Sequence, residues 1–340
     1  MGSHVCDLLA ERGEQVVCTT RRERAPKQNI EYAVGDAHDP AFIDGLFAER
    51  WDAVVDFMIW TTSAFRERYE DFLAATDQYV FVSSYRVYAN SPVIREDSPR
   101  LLDVVEDPEY LATDEYALSK ARCEDMLFGS GGSSWTVVRP AVTYDGAVGR
   151  LQLGVYEAVD WLWRAAKGIP VPMPEGMLSK QATMSCGGDV AEMIARLVGN
   201  PAALGEAFTV SGSDHMTWGE VAEAYRSVLP SLAIAPCGLD EFERARGGVY
   251  QIRYDRMFDR VVDNSKVLAV TGMDADGLSS MREGLPTALR RCLSGGVPAP
   301  GWGLQGRLDR LVGGCPSLMP AARQGGPVAA AKYLVRRLLR

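Results

Sequence analysis

A serine, a tyrosine and a lysine carry the chemistry open to this chain. Ser83-Ser84 closes the run Gln78-Tyr79-Val80-Phe81-Val82, and Tyr116 and Lys120 stand at i and i+4 further along. A phenol titrates near pH ~10, too high for a base at neutral pH. A close ammonium favours the phenolate and lowers that value, and a serine hydroxyl nearby can hold a substrate oxygen. Together the three make a proton relay for oxidising an alcohol or reducing a ketone. A Tyr-x-x-x-Lys pair by itself is equally at home on an ordinary amphipathic surface helix.

The elements around the pair decide between those readings. Residues 78–82 are β-branched and aromatic and read as a buried strand. Ser84 then sits at a strand's carboxyl end, where open α/β sheets bind ligands. The run 114–128 holds good helix formers and no Gly or Pro, so it should be helical, with Tyr116 and Lys120 on one face. Further strands are expected at 15–20, 32–37, 52–58, 134–140 and 207–213. Helices are expected over 2–13, 40–50, 64–76 and 151–167, from 189, and to Leu229 from the capping-box spacing Thr217-Trp218-Gly219-Glu220. Trp161 and Trp163 read as core. From Leu293 the pattern thins into Gly, Pro and Arg, with 329–340 a short basic helix at most and a solvated tail otherwise.

Composition narrows the class. The 340 residues suffice for one large or two ordinary domains, and 47% apolar with 24% charged residues is a globular balance. A net charge of −9 argues against a nucleic-acid surface. No apolar run approaches the ~20 residues that cross a bilayer, and no secretory leader is visible. The seven cysteines include no C-x-x-C and fit reduced thiols in a cytoplasmic protein. His4, His38 and His215 lack metal-ligand spacing, so no metal is expected.

Three neighbouring features carry a resemblance. They are the Ser-Ser-x-x-Val-Tyr strand end, Glu96-Asp97-Ser98-Pro99, and the strand ending in Arg139-Pro140. Over roughly the first two-thirds of the chain these resemble the extended short-chain dehydrogenase/reductases, the nucleotide-sugar epimerases, dehydratases and reductases. The resemblance implies an α/β doubly wound parallel sheet of Rossmann type with a smaller C-terminal substrate lobe. It implies a cofactor domain over 1–145 and 182–215, a substrate lobe over 146–181 and 216–310, and a tail over 311–340. Ser84 would be catalytic, Tyr116 the acid/base, and Lys120 the group that lowers the phenol's pKa and binds ribose. Asp36 would meet the adenine amino group, with Ala37 and Pro140 also at the cofactor. Tyr85, Arg86, Arg253 and Arg256 are the substrate-binding candidates. Arginines of the 253–256 region would grip a nucleotide diphosphate, or else form surface salt bridges.

Cofactor and reaction follow from departures from that pattern. NAD enzymes of this fold place an acid at the end of the second strand. Here Thr20 stands there, followed by Arg21, Arg22 and Arg24, which favours NADP(H) over NAD(H) through bidentate binding of a phosphate. A solvated basic loop is the other reading. Related dehydratases carry Asp-Glu just after the catalytic position, whereas this chain has Tyr85 and Arg86, so dehydration is disfavoured. What remains is a reductase acting on a sugar-like carbonyl, a nucleotide-sugar epimerase with bound NAD, or a non-catalytic binding protein on the same fold. A small-molecule sugar or nucleotide-sugar partner and a homodimer are expected.

The amino terminus departs most. Such folds open on an apolar strand and G-x-x-G-x-x-G, and here only the last glycine, Gly2, stands in place. A misassigned start and a vector-derived Gly-Ser-His both account for it. The expectation is an incomplete cofactor site, an upstream strand carrying two glycines, and buried, unpaired edges on the second and fourth strands. Lys332-Tyr333-Leu334-Val335 is the one loose apolar stretch that could fill the gap. At 57–59, Phe57-Met58-Ile59 is bulkier than the small residues that let a cofactor approach.

Overall fold

Around Thr76–Val82, buried at every position but Asp77, the first unit of the molecule is built. The computed structural model describes residues 1–338, except for the Val148 side chain. It divides into two units. One comprises 1–141, 185–213 and 262–278, and the other 142–184, 214–261 and 279 onward.

The first unit runs α1 (Gly2–Glu11), β1 (Val16–Thr20), β2 (Ile30–Val34), α2 (Pro40–Leu46), β3 (Trp51–Asp56), α3 (Thr62–Arg66), α4 (Tyr69–Ala74) and β4 (Thr76–Val82). It continues with α5 (Leu101–Val104), α6 (Pro108–Leu111), α7 (Tyr116–Phe128), β5 (Trp135–Pro140), α8 (Gly187–Leu197), β6 (Glu206–Val210) and α9 (Ser265–Thr271). Strands β6-β5-β4-β3 form a four-stranded sheet, parallel throughout. β1 and β2 form a separate parallel pair. Side chains alternate across β4 and β5, as the strand period of two requires. Val80, Val82 and Val138 pack with Val5 of α1, Val190 and Ile194 of α8 and Val267 of α9. Tyr79, Phe81 and Val137 pack the opposite way with Phe65, Phe72, Cys123 and Leu127. Helices therefore cover both faces, which makes this a doubly wound, Rossmann-like α/β sheet.

Among the described residues no strand hydrogen-bonds between β1 and β3. Their edges are not buried as expected: β1 is at least partly exposed throughout, and Asp56 is the one buried residue of β3. Water can reach such an edge, so its amides keep partners without a neighbouring strand. Residues 332–335 are helical.

Several boundaries differ from expectation. The helix expected at 64–76 is two, interrupted at Glu67-Arg68, and that expected at 151–167 begins only at Ala158, because Gly154 takes a left-handed φ of 59° and Leu153 bridges to Tyr156. Residues 262–278 join the first unit rather than the substrate lobe. Val262 bridges to Ile94, Asp263 accepts from Arg95, and Val267 enters the core.

In the second unit Val171–Pro174 pairs in parallel with Ile234–Cys237 and Gln181–Ala182 runs antiparallel to Met216–Thr217. Trp161 and Trp163 are buried as core. The expected tail is helical instead, over Trp302–Val312 and Leu318–Leu338, and the last two residues of the 329–340 helix lie outside the described residues. Buried Asp309 is what holds it, accepting from Arg164 at 2.7 Å, from the Tyr333 hydroxyl at 2.7 Å and from the Ser317 amide at 2.9 Å. No described helix is long and apolar enough to cross a membrane.

Candidate active site at the carboxyl end of β4

Ser84 lies two residues past the end of β4, buried and extended, and caps the single 3-10 turn Tyr85–Val87. Its Oγ accepts the Arg86 amide at 3.2 Å. The Arg86 guanidinium turns toward α7. It donates to Glu115 Oε1 at 2.6 Å and lies 5.2 Å over the centroid of the Tyr116 ring. Glu115 in turn caps α7, accepting the Ala117 amide at 2.8 Å. One arginine thus ties the serine at the strand end to the tyrosine at the helix start. Arg86 is spent on these internal partners, and Tyr85 is buried, so both substrate-binding candidates serve first to build the site.

Lys120 lies one turn along α7 on the same face as Tyr116, only 2% exposed. Its ammonium donates to Val82 O at 2.7 Å and Met58 O at 3.0 Å and sits 4.4 Å over the Phe81 ring. Burial pushes its pKa below the ordinary lysine value, with Asp56 the first of the charges that oppose the shift. Two of three donors are therefore taken by main-chain carbonyls at the ends of β3 and β4. Ser119 adds a bond to Trp60 O at 2.8 Å.

That sewing fixes the segment after β3. Buried Asp56 accepts from the Met58 amide at 2.7 Å, Trp60 Nε1 at 2.7 Å and the Tyr79 hydroxyl at 2.5 Å. The bulk of Phe57 is absorbed: its ring joins the core beneath α1, 3.5 Å from where a Cβ on Gly2 would stand. A larger residue at position 2 would have to push that ring aside.

The cofactor candidates lie at strand ends of the same unit. Gly2 is the first residue of α1, whose N-cap, Met1, makes no side-chain cap bond. Thr20 shapes the turn after β1, its Oγ1 donating to Arg22 O at 3.0 Å, and Arg21 and Arg22 are exposed. Asp36 is exposed and accepts the His38 amide at 3.0 Å, a bond that holds its pKa below the usual carboxylate value. Ala37 and Pro140 are buried. These residues suit a dinucleotide: an uncapped helix start for a pyrophosphate, exposed guanidinium groups for a phosphate, and a carboxylate for an amino group.

In the second unit Arg256 is buried. It donates to Gly154 O at 2.8 Å and Gln152 Oε1 at 2.7 Å and lies 5.4 Å over the Trp218 ring. Arg253 makes a two-point pair with Glu243 at 2.8 and 2.7 Å. Arg256 is thus engaged in internal packing, whereas Arg253 is exposed and forms the salt bridge that was its other reading.

Sequence reasoning missed Glu124. Its side chain is fully buried and takes Ser83 Oγ at 2.6 Å and Arg139 at 2.9 and 2.8 Å. A signal was present, since Glu124 continues the i, i+4 row begun by Tyr116 and Lys120. It also missed Glu115, whose place just before the helix marks a cap.

The fold of this chain is shared with known structures. The human epimerase family protein SDR39U1, solved with NADPH, superposes with a TM-score of 0.60 at 18% identity, over 85% of this chain and 95% of that one. The chain has the fold of the short-chain dehydrogenase/reductases. MoeE5, solved with UDP-glucuronic acid and NAD, shares this fold with a TM-score of 0.62 and 18% identity, over 86% of this chain and 96% of that one. A curated relative, the chloroplast stem-loop binding protein of 41 kDa b of Arabidopsis thaliana, is 26% identical over 293 residues, 79% of this chain and 71% of that protein. No family model matches the chain.

Proposed function

We propose that the chain is an NAD(P)(H)-dependent oxidoreductase of the extended short-chain type, reducing or oxidising a sugar-like carbonyl or hydroxyl, with a nucleotide sugar or sugar-derived metabolite as substrate. The observation that carries the reading is the linkage of Ser84 and Tyr116 through Arg86, with Lys120 one turn further along the same helix face. A bound nicotinamide cofactor supplies or takes up the hydride. The Tyr116 phenol gives its proton to, or takes one from, the substrate oxygen. Ser84 donates a hydrogen bond to that oxygen. Arg86 and Lys120 place positive charge where the phenolate would develop. Gly2 and the first amides of α1 would hold the pyrophosphate, Arg21 and Arg22 a 2′-phosphate, and Asp36 the adenine.

The exposed arginines, with Thr20 in place of an acid, support NADPH and hence net reduction over the alternative of a nucleotide-sugar epimerase with bound NAD. The solved complexes with NADPH and with NAD plus UDP-glucuronic acid supply both precedents. A second reading, a non-catalytic binding protein on this fold, is favoured by one observation: the Lys120 ammonium already serves two main-chain carbonyls.

The test is a titration of the chain with NADPH and NADH, followed by incubation with a panel of UDP-, dTDP- and GDP-linked keto sugars. Consumption of NADPH matched by a reduced sugar supports the reductase. An inverted sugar with no net change in cofactor supports the epimerase. Binding without turnover across the panel supports the binding protein, and no binding of either nicotinamide overturns the proposal.

A further inference from the structure

We propose that the helix over residues 327–338 seats the protein on a membrane surface of anionic phosphate headgroups, lying on the bilayer without crossing it. After the kink at Gly326 these residues continue as helix. One side of the helix is core. Ala329 and Tyr333 are buried, and Tyr333 O stands 2.4 Å from where a Cβ on Gly306 would be, so the helix is pressed onto Trp302–Val312. Arg310 ties the two together, its Nε donating to Arg337 O at 3.0 Å. The other side is apolar and open. Val328 is 67% exposed, Val335 49% and Leu338 73%, and Ala331 and Leu334 are exposed with them. At 3.6 residues per turn these five residues make one stripe roughly 120° wide. A continuous exposed apolar surface of this kind marks an interaction site.

The charges beside the stripe choose the partner. Lys332 and Arg336 run along one edge of it, both exposed. Residues 318–338 hold Arg323, Lys332, Arg336 and Arg337 and no acidic residue, in a chain whose net charge is −9. The Arg336 side chain leans onto the neighbouring helix, its Cγ 3.5 Å from where a Cβ on Gly303 would stand. Arg307 is one turn further along that helix, on the same face, and its Nε is buried without a hydrogen-bond partner. Burial, and then the Arg336, Arg246 and Arg310 guanidiniums, hold the Arg307 pKa below the ordinary arginine value. Among the described residues, none of Lys332, Arg336 and Arg307 forms an ion pair. The stripe is thus edged by cations that have no counter-charge within the protein.

A second copy of the chain fits this surface badly. Pairing stripe to stripe, in either direction, would set Lys332 and Arg336 against like charges with no acid on the helix to answer them. A bilayer of anionic lipid answers both parts. The boundary between headgroups and acyl chains takes Val328, Leu334, Val335 and Leu338, and headgroup phosphates accept from the ammonium and the guanidiniums. The segment falls well short of the ~20 residues that span a bilayer, so the helix lies in the plane of the surface. None of these residues belongs to the candidate active site, and the binding needs neither cofactor nor substrate.

The test is sedimentation of the full chain with vesicles of phosphatidylcholine alone and of phosphatidylcholine with phosphatidylglycerol in equal parts. The chain should sediment with the anionic vesicles only, and less so as salt rises. Lys332→Glu with Arg336→Glu should weaken that binding by roughly 10-fold or more. Val335→Asp with Leu338→Asp should weaken it comparably, by removing the apolar contact. All four side chains are exposed, so the melting temperature should hold in both variants. Should either variant melt early, the lipid and salt dependence of the wild type still decides. Three results would overturn the proposal. One is wild-type chain that leaves anionic vesicles unbound or binds the neutral ones equally. Another is binding that the charge reversal removes and the stripe variant keeps, which would be electrostatic adhesion alone. The third is a dimer in solution that Val335→Asp with Leu338→Asp dissolves, which would give the stripe to a second copy.

Discussion

Glu124, one helical turn beyond Lys120, takes both donors of a fork from Arg139, Nε to Oε1 at 2.9 Å and NH2 to Oε2 at 2.8 Å. Arg139 is the arginine of the Arg-Pro strand end that the sequence displays. Burial works against its charge and the Glu124 carboxylate outweighs that, so its pKa lies above the ordinary arginine value. The pair clamps α7 onto β5, and Ser83 adds β4 through the same carboxylate. The register of Tyr116 and Lys120 against Ser84 is set by a group that does no chemistry.

Removing that carboxylate should destabilise the unit. Glu124→Gln leaves a buried guanidinium without its counter-charge, and breaking a buried pair this way costs about 3–5 kcal/mol. Against a total margin of roughly 5–15 kcal/mol the loss is large. Urea denaturation followed by circular dichroism should show the midpoint falling steeply. A shift of under about 1 kcal/mol would mean the pair is not the clamp.

Tyr116→Phe should abolish turnover while leaving the fold intact. The phenol hydroxyl is the group placed to exchange a proton, and losing one relay member costs about 10²–10⁴-fold. The ring beneath Arg86 remains, so the melting temperature should barely move. Near-wild-type activity on an identified substrate would remove Tyr116 from the mechanism.

Cofactor choice should rest on the turn after β1. Arg21→Ala with Arg22→Ala removes the charge-assisted partners of a 2′-phosphate, so NADPH should weaken far more than NADH, by roughly 10-fold or more. Fluorescence titration of both cofactors measures it. Equal weakening of the two would exclude a 2′-phosphate role, and no weakening of either would make these arginines a solvated loop.

Much of the site could be read in the sequence because its signals are local. The 116–128 helix has no Gly or Pro to break it, and the serine ends a run that could only be a buried strand. The Thr217 capping box formed as its spacing implied, Thr217 Oγ1 accepting the Glu220 amide at 3.1 Å and Glu220 accepting the Thr217 amide at 2.8 Å. What stayed hidden is non-local. Arg139 meets Glu124 across a turn, and Asp309 gathers Arg164, Ser317 and Tyr333 from three segments. Neither has a period to detect. Helices 302–312 and 318–338 were masked by their Gly and Pro, which the chain tolerates at the Gly326 kink. The break at Glu67-Arg68 carries no Gly or Pro at all.

The same capping box gives a pH-dependent outcome. The bond from the Thr217 amide, first, holds the Glu220 pKa below its ordinary 4.5. A carboxylate depressed on folding adds stability above its unfolded value and loses it as the pH falls through the folded one. Glu220→Gln should therefore lower the melting temperature slightly at pH 7, with the gap to wild type closing below pH ~4. Thr217→Ala should cost about 1 kcal/mol and keep part of its deficit in acid, because the cap bond to the Glu220 amide does not titrate. A gap for Glu220→Gln that persists in acid would refute the titration.

The separation of β1-β2 from the four-stranded sheet has a consequence for cooperativity. Amides of β4 are bonded between β3 and β5 and covered on both faces, so they can exchange with solvent only when the whole unit opens. Those of β1 and β2 depend on a single partner strand and on side chains reaching from α1. The pair should behave as a foldon of its own, opening and reclosing while the clamp of Glu124 and Arg139 stays shut. In deuterated water its protection should decay orders of magnitude sooner than that of residues 76–82, and the turn at Thr20 should open with it.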